Sequence, residues 1–447
     1  SSPQLFKRVF VNTLLRITNE ISLPWNPTIS DVYGAHATNL RQLFQDLLPK
    51  VKEYNSIKNA SDKKGKAALE KVLADISILE KLIELYNADP VFALYSGKGS
   101  NDFEAIKGLL TGLCNCVSEF SIPNLSKVAN QTLVVLHHPD NIKKWLGDTE
   151  NSTNNNIERF WIISSSVNIS LGKIIRDNNQ LKQNHIESTV DLIESILEYR
   201  IQFFEQNAHL EPDIKSKQER FHASTVLEST LLVHLGSKNN EVVSKCISSF
   251  SLLCKEIEIL RHCLTEQDNS IISNYEAYKQ LGDAATNFTG RQAQQKTIQT
   301  TMKNVQIQTV GNLVGWDELY TRWHKLTGTV ITNEESAIAV NTARNESSSK
   351  KKGKQTAVIE SYDAKKAGET LAEWDNCLGI LCSLAAVLLN QTSQTKGTSE
   401  KQVKMSSADP DDFLRVLMKL LTSEFVSIRE KVKKVLGNAL TPEIYPS

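Results

Sequence analysis

Apolar residues recur along this chain at three- and four-residue spacing, in blocks separated by short polar breaks. The clearest stretch runs from Asp102 to Trp161. Phe103, Ile106, Leu110, Leu113 and Val117 fall on one face of a first helix. After a break at Ser121-Ile122-Pro123, Leu125, Val128, Thr132, Val135 and Leu136 share a face of a second. Pro139 stops that helix, and Asp140 to Gly147 adds a short third. A lone helix cannot bury its apolar stripe, so each must pack against its neighbours.

The same pattern extends in both directions. Pro3 to Glu20 predicts a helix with Leu5, Phe6, Val9, Phe10, Leu14 and Leu15 inward. Ser30 to Asn55 predicts another, interrupted near Pro49. Lys66 to Tyr86 follows, with Leu69, Val72, Leu73, Ile76, Leu79, Leu82, Ile83 and Tyr86 as its stripe. Asp89-Pro90 ends it, because a residue before proline avoids the helical region. Gly147 to Asn156 reads as a polar loop before a strongly apolar, central helix from Ile157 to Ile175. Further helices are predicted over Asn184 to Asn207, Glu219 to Leu235, Asn240 to Leu253, Ile257 to Leu264 and Ile271 to Leu281. Gln292 to Gln308 is expected as a long, more polar surface helix. Trp316 to Leu326, Thr370 to Asn390, Asp409 to Thr422 and Val426 to Leu440 complete the set. Residues 332–368 and about 391–408 have little periodicity and are expected as flexible insertions. No stretch alternates as a strand does, and the helices share no fixed-length repeat. The expectation is an all-α, irregular HEAT/armadillo-like α-solenoid with two flexible loop insertions, its helical repeats over 1–331 and 369–447.

Composition narrows the class. A chain of 447 residues is too long for one ordinary core. Lys plus Arg and Asp plus Glu each total 51, and zero net charge argues against a chain built to hold nucleic acid or an acidic membrane. No apolar run reaches the roughly 18 residues of a membrane span; Leu378 to Leu389 comes nearest and is too short. Seven cysteines, an odd number mostly on apolar faces, fit a reducing compartment, so a cytoplasmic chain is expected, with membrane contact at most peripheral. A start without Met, directly into a helical pattern, is expected of a piece of a longer protein with no signal peptide. Eight Asn-x-Ser/Thr triplets, Asn168 among them, read as chance in an Asn- and Ser-rich sequence.

Candidate chemistry is sparse. Cys114 and Cys116 point to different faces of one helix, without a nearby His or Cys pair, and read as core cysteines. Cys246, Cys254, His262 and Cys263 fit no zinc spacing. His137-His138 sits at a helix end, where contact with the last carbonyls accounts for it. Lys98-Gly99-Ser100 lacks the glycine spacing of a phosphate loop, and Asp411-Asp412 reads as a helix N-terminus. Ser347 to Lys354 carries a basic cluster read as a solvated loop. Trp316, Trp323 and Trp374 read as core. The residues themselves indicate no catalytic group, no cofactor and no metal site.

Several short stretches in shared order are similar to the neurofibromin family of Ras GTPase-activating proteins, especially its fungal Ira-type members. They are Ala88-Asp89-Pro90 with Gly97-Lys98-Gly99; Leu110-Thr111-Gly112-Leu113; Leu133-Val134-Val135-Leu136-His137; Trp145; Ile157 to Ser165; Thr289-Gly290-Arg291; Trp316 with Trp323; Glu373-Trp374 with Leu378 to Cys382; and Leu440 to Pro446. The resemblance implies the helical-repeat region just before the Ras-activating domain of a negative regulator of Ras signalling, in fungi of the Ras–cAMP pathway. It implies Ras contact through the full-length protein rather than through this segment, and a homodimer of that full-length protein. Phe413-Leu414-Arg415 looks like the start of an activating-domain motif, but the Pro-Ala expected downstream is missing, so no catalytic arginine is carried over. The competing class is a generic HEAT-type adaptor unrelated to Ras. An enzyme in its own right has almost no residue support.

Overall fold

In the computed structural model the described residues are 3–19, 29–59, 62–95, 102–145, 153–177, 183–207, 217–260, 272–284, 290–347, 363–390 and 410–439. Among them are seventeen α-helices and no strand, so the fold is all-α and solenoid-like. The chain divides into two compact units: residues 1–223 with 256–268, and 224–255 with 269–447. The boundary that polarity suggests at residue 331 falls inside a helix that runs from Val310 to Ser347.

Unit 1 holds α1 (Pro3–Asn19), α2 (Ile29–Ile57), α3 (Lys63–Ala88), α4 (Pro90–Leu94), α5 (Phe103–Val117), α6 (Pro123–Leu136), α7 (Pro139–Trp145), α8 (Thr153–Asp177) and α9 (Gln183–Gln206). α10 (Lys217–Leu235) and α11 (Asn240–Leu260) each contribute residues to both units. In unit 1, α2, α5 and α8 lie side by side in one row, and α3, α6 and α9 in a second. Each helix of one row pairs with its successor in the other, α2 with α3, α5 with α6 and α8 with α9. The short α4 and α7 follow the second helix of their pairs and touch each other. This is helix-pair stacking of the kind that buries a continuous core between neighbours. α3, α6 and α9 begin at residues 63, 123 and 183, a regularity hidden in the sequence because α2, α5 and α8 start at 29, 103 and 153.

Local chemistry sets the helix boundaries. Asp62 caps α3 by accepting from the Gly65 amide at 3.3 Å. Pro90, Pro123 and Pro139 stand at helix starts, where a missing N–H costs nothing. Asp89 caps α4 through the Val91 amide and also accepts from the Tyr33 hydroxyl of α2 at 2.5 Å. Arg41 of α2, 3% exposed, donates to the Ala93 and Tyr95 carbonyls at the end of α4 and to Asp102 before α5.

Three sequence expectations change here. α1 turns Val11 and Leu14 inward and leaves Leu5, Phe6 and Val9 46%, 70% and 54% exposed. Gln4 of α1 donates to Asp75 of α3 at 2.6 Å, and that contact fixes which side of α1 meets α3. α2 runs unbroken through Pro49, whose flanking turns are held by buried Phe44, Leu47 and Val51. α8 begins at Thr153, inside the expected polar loop.

Unit 2 adds α12 (Tyr275–Ala284), α13 (Arg291–Met302), α14 (Val310–Ser347), α15 (Ala364–Asn390), α16 (Pro410–Leu421) and α17 (Val426–Ala439). α15 is its centre, touching α13, α14 and α17, with Leu378 and Ile380 to Ala385 all buried. The most apolar run of the sequence is therefore a core helix, and among the described residues no helix is long and apolar enough to cross a membrane. α14 is helical to Ser347, which corrects the expectation of a flexible insertion over 332–368; residues 348–362 and 391–409 lie outside the described residues. The separate helices expected over Asn240 to Leu253 and Ile257 to Leu264 are one, α11, as far as Leu260. α13 is shorter than the expected surface helix, and it buries Gln294, Gln295 and Ile298 between α12 and α15.

Candidate functional site

The groups with chemical potential among the described residues fall into three settings: buried thiols and imidazoles, buried ionic joints, and the lining of an open cleft. Cys114, Cys116, Cys246, Cys254, Cys377 and Cys382 are buried. Burial holds the Cys114, Cys116 and Cys382 thiols up, and pushes Cys377 up to about 12, so none of these four is a ready thiolate. Among the described residues no cluster of three His, Cys, Asp or Glu is placed to hold a metal ion. His262 and Cys263 lie outside the described residues, as do Lys98 to Ser100 and the basic run from Lys350 to Lys354.

His137 is buried at the end of α6, with Nδ1 2.6 Å from the Leu133 carbonyl. That distance requires Nδ1 to carry the proton and donate. Desolvation then lowers the imidazole to about 4. His138 is exposed and lies 3.7 Å from Asp140. Trp316, Trp323 and Trp374 are buried with Phe413, and the Trp374 indole donates to Thr327 at 2.8 Å. Phe413 is thus a core residue, while Arg415 is exposed and paired with Asp412 at 3.0 Å. Asn168 is 1% exposed inside α8.

Two ionic joints escaped the sequence because their members come from distant helices. In unit 1, Arg200 of α9 donates twice to Glu256 of α11, at 2.7 and 2.9 Å, and once to Ser164 of α8 at 2.7 Å. Arg220 of α10 reaches the same carboxylate at 3.9 Å and lies over the Trp161 ring at 3.6 Å. All of these are buried. In unit 2, Glu228 of α10 accepts from the Tyr278 hydroxyl of α12 at 2.5 Å and from Thr309 at 2.8 Å. Each joint is closed by its own partners and ties four or three chain segments together.

The open feature is a cleft of about 750 Å³ in unit 2, between α13, α15 and α17. Arg291, Lys296 and Lys303 line it from α13 and its end, Lys431 and Lys434 from α17, and Asp375 and Asn376 from α15. Lys431 donates to Asp375. Apart from Lys303, four cations and one carboxylate stand among the described lining residues, in a chain of zero net charge. α13 opens at Gly290 (φ 150°), with no side-chain cap among the described residues and no acidic residue in its first turn. Arg291 Nη2, Gln295 Oε1 and Asn376 Nδ2 are buried and have no hydrogen-bond partner among the described residues. Sequence reading passed over this site: its charges are scattered over three helices and form no cluster along the chain. No protein-family model matches the chain.

Proposed function

We propose that this chain is a non-catalytic helical scaffold segment of a Ras GTPase-activating protein of neurofibromin type. It spaces and orients an activating domain that lies elsewhere in the full-length protein, and it supports self-association of that protein. One observation carries the reading: within the described residues, many of those that resemble the family are the ones that lock helix on helix. Leu110, Leu133, Trp161, Trp323, Trp374 and Leu378 are each 0% exposed. Gly112 lets α5 approach α2, where an added Cβ would lie 2.7 Å from the Phe44 ring. Asp89 joins α2 to α4. Such residues maintain a stack of helices and its spacing, which is what a scaffold requires.

The test is single-turnover hydrolysis by GTP-loaded Ras. The chain alone leaves the rate unchanged, and the longer protein containing it accelerates hydrolysis strongly, as an inserted arginine does. Acceleration by this chain alone would overturn the scaffold reading. A longer protein without effect on Ras would leave a general helical adaptor instead.

A further inference from the structure

We propose that the cleft between α13, α15 and α17 binds a multiply phosphorylated, hydroxyl-bearing small molecule of the inositol polyphosphate class. This inference is independent of any connection to Ras.

Charge comes first. Arg291, Lys296, Lys431 and Lys434 line one concavity, Asp375 is the one carboxylate among its described lining residues, and Asp375 is already engaged by Lys431. Like charges gathered this closely repel one another unless an anion sits among them. A single carboxylate would match one or two of them; several phosphates match the set. The start of α13, without a side-chain cap among the described residues, stands on the same wall, a favourable place for a phosphate oxygen.

The unpartnered atoms indicate more than charge. Gln295 and Asn376 are 6% and 7% exposed, yet Gln295 Oε1 and Asn376 Nδ2 lack partners among the described residues, as does Arg291 Nη2. Buried polar atoms are rarely left so, because each forfeits its hydrogen bond to water. Two are donors suited to phosphate, and one is an acceptor suited to a hydroxyl. All three residues line the cleft. The volume, about 750 Å³, suits a small molecule. Among the described residues the lining contains no aromatic ring on which a base could stack, which disfavours single-stranded nucleic acid.

The headgroup could arrive free or on a phosphoinositide lipid, and the experiment separates the two. The full chain is titrated calorimetrically with inositol hexakisphosphate and, separately, with inorganic phosphate. It is also sedimented with phosphatidylcholine vesicles, with and without phosphatidylinositol bisphosphate. Saturable binding of the hexakisphosphate is expected, tighter than that of phosphate and weakened by salt. Lys434→Glu, an exposed position, should weaken it about tenfold or more, and Arg291→Gln likewise. Lys433→Glu makes the same change in net charge outside the cleft and should leave it within about twofold. Vesicle binding that needs both the phosphoinositide and Lys434 identifies the lipid as the source, and its absence beside tight soluble binding identifies the free compound. No saturable binding to any probe, or equal weakening by Lys433→Glu and Lys434→Glu, overturns the proposal.

Discussion

Arg200 takes a full charge below the surface of unit 1, and its surroundings show what that requires. Glu256 supplies the countercharge, Ser164 takes a further N–H, and the Trp161 ring faces the guanidinium at 4.9 Å. Losing one member of such a group costs more than the group contributes as a whole, because the remaining charges stay buried and unpaired. Glu256→Gln should therefore destabilise by about 3–5 kcal/mol, since it leaves Arg200 and Arg220 facing each other. Urea unfolding followed by tryptophan fluorescence measures this, and a loss below about 1 kcal/mol would show that the charges reach solvent. His137 and His234 give a pH dependence of definite sign. Burial lowers them to about 4 and about 3, from an ordinary value of 6.5. The folded chain thus binds fewer protons than the unfolded chain between those values, and stability falls as pH drops below about 6.5. The loss is at most about 1.4 kcal/mol for each pH unit between the folded and unfolded titrations. Replacing both by Gln should flatten the unfolding midpoint between pH 4 and pH 6.5 relative to the parent chain.

Helix by helix, close approach and exposure decide what a substitution does. Gly112 of α5 faces Phe44 and Leu48, so Gly112→Ala forces the ring aside and should cost about 1–3 kcal/mol. Gly328 of α14 has open space where a Cβ would stand, so Gly328→Ala should stabilise by about 0.5–1 kcal/mol through helix propensity. Thermal unfolding of the two variants gives shifts of opposite sign; shifts of the same sign would mean that the packing of α5 on α2 is wrong. The helices themselves were legible because three- and four-residue periodicity survives in α3, α5, α6, α9 and α15. Which face of α1 turns inward was not legible. Apolar residues cover much of its circumference, and the Gln4–Asp75 bond with α3 picks the face. Pro49 misled for a related reason: the packing of Phe44, Leu47 and Val51 outweighs one missing backbone bond.

At the scale of the whole molecule, a chain that divides into two compact units distributes stability locally. Trp374→Ala empties a fully buried site in unit 2 and should cost about 3–5 kcal/mol. Hydrogen exchange should then quicken through α13, α14, α15 and α17 while α3 and α6 keep their protection. Uniform loss across the chain would show one cooperative body instead.

Local pattern was enough to determine that the described residues are helical without strands, roughly where most helices begin and end, and that Cys114, Cys116, Trp316, Trp323 and Trp374 are interior. Those features follow from spacing within a single helix, which the linear order records directly. The face of α1, the continuation of α14 to Ser347, the Arg200–Glu256 joint and the cationic cleft were decided by tertiary structure. Each depends on residues far apart in the chain being brought within a few ångströms. Arg291 and Lys434 carry no joint signal along the sequence, and they become one site only when α13 and α17 pack on α15.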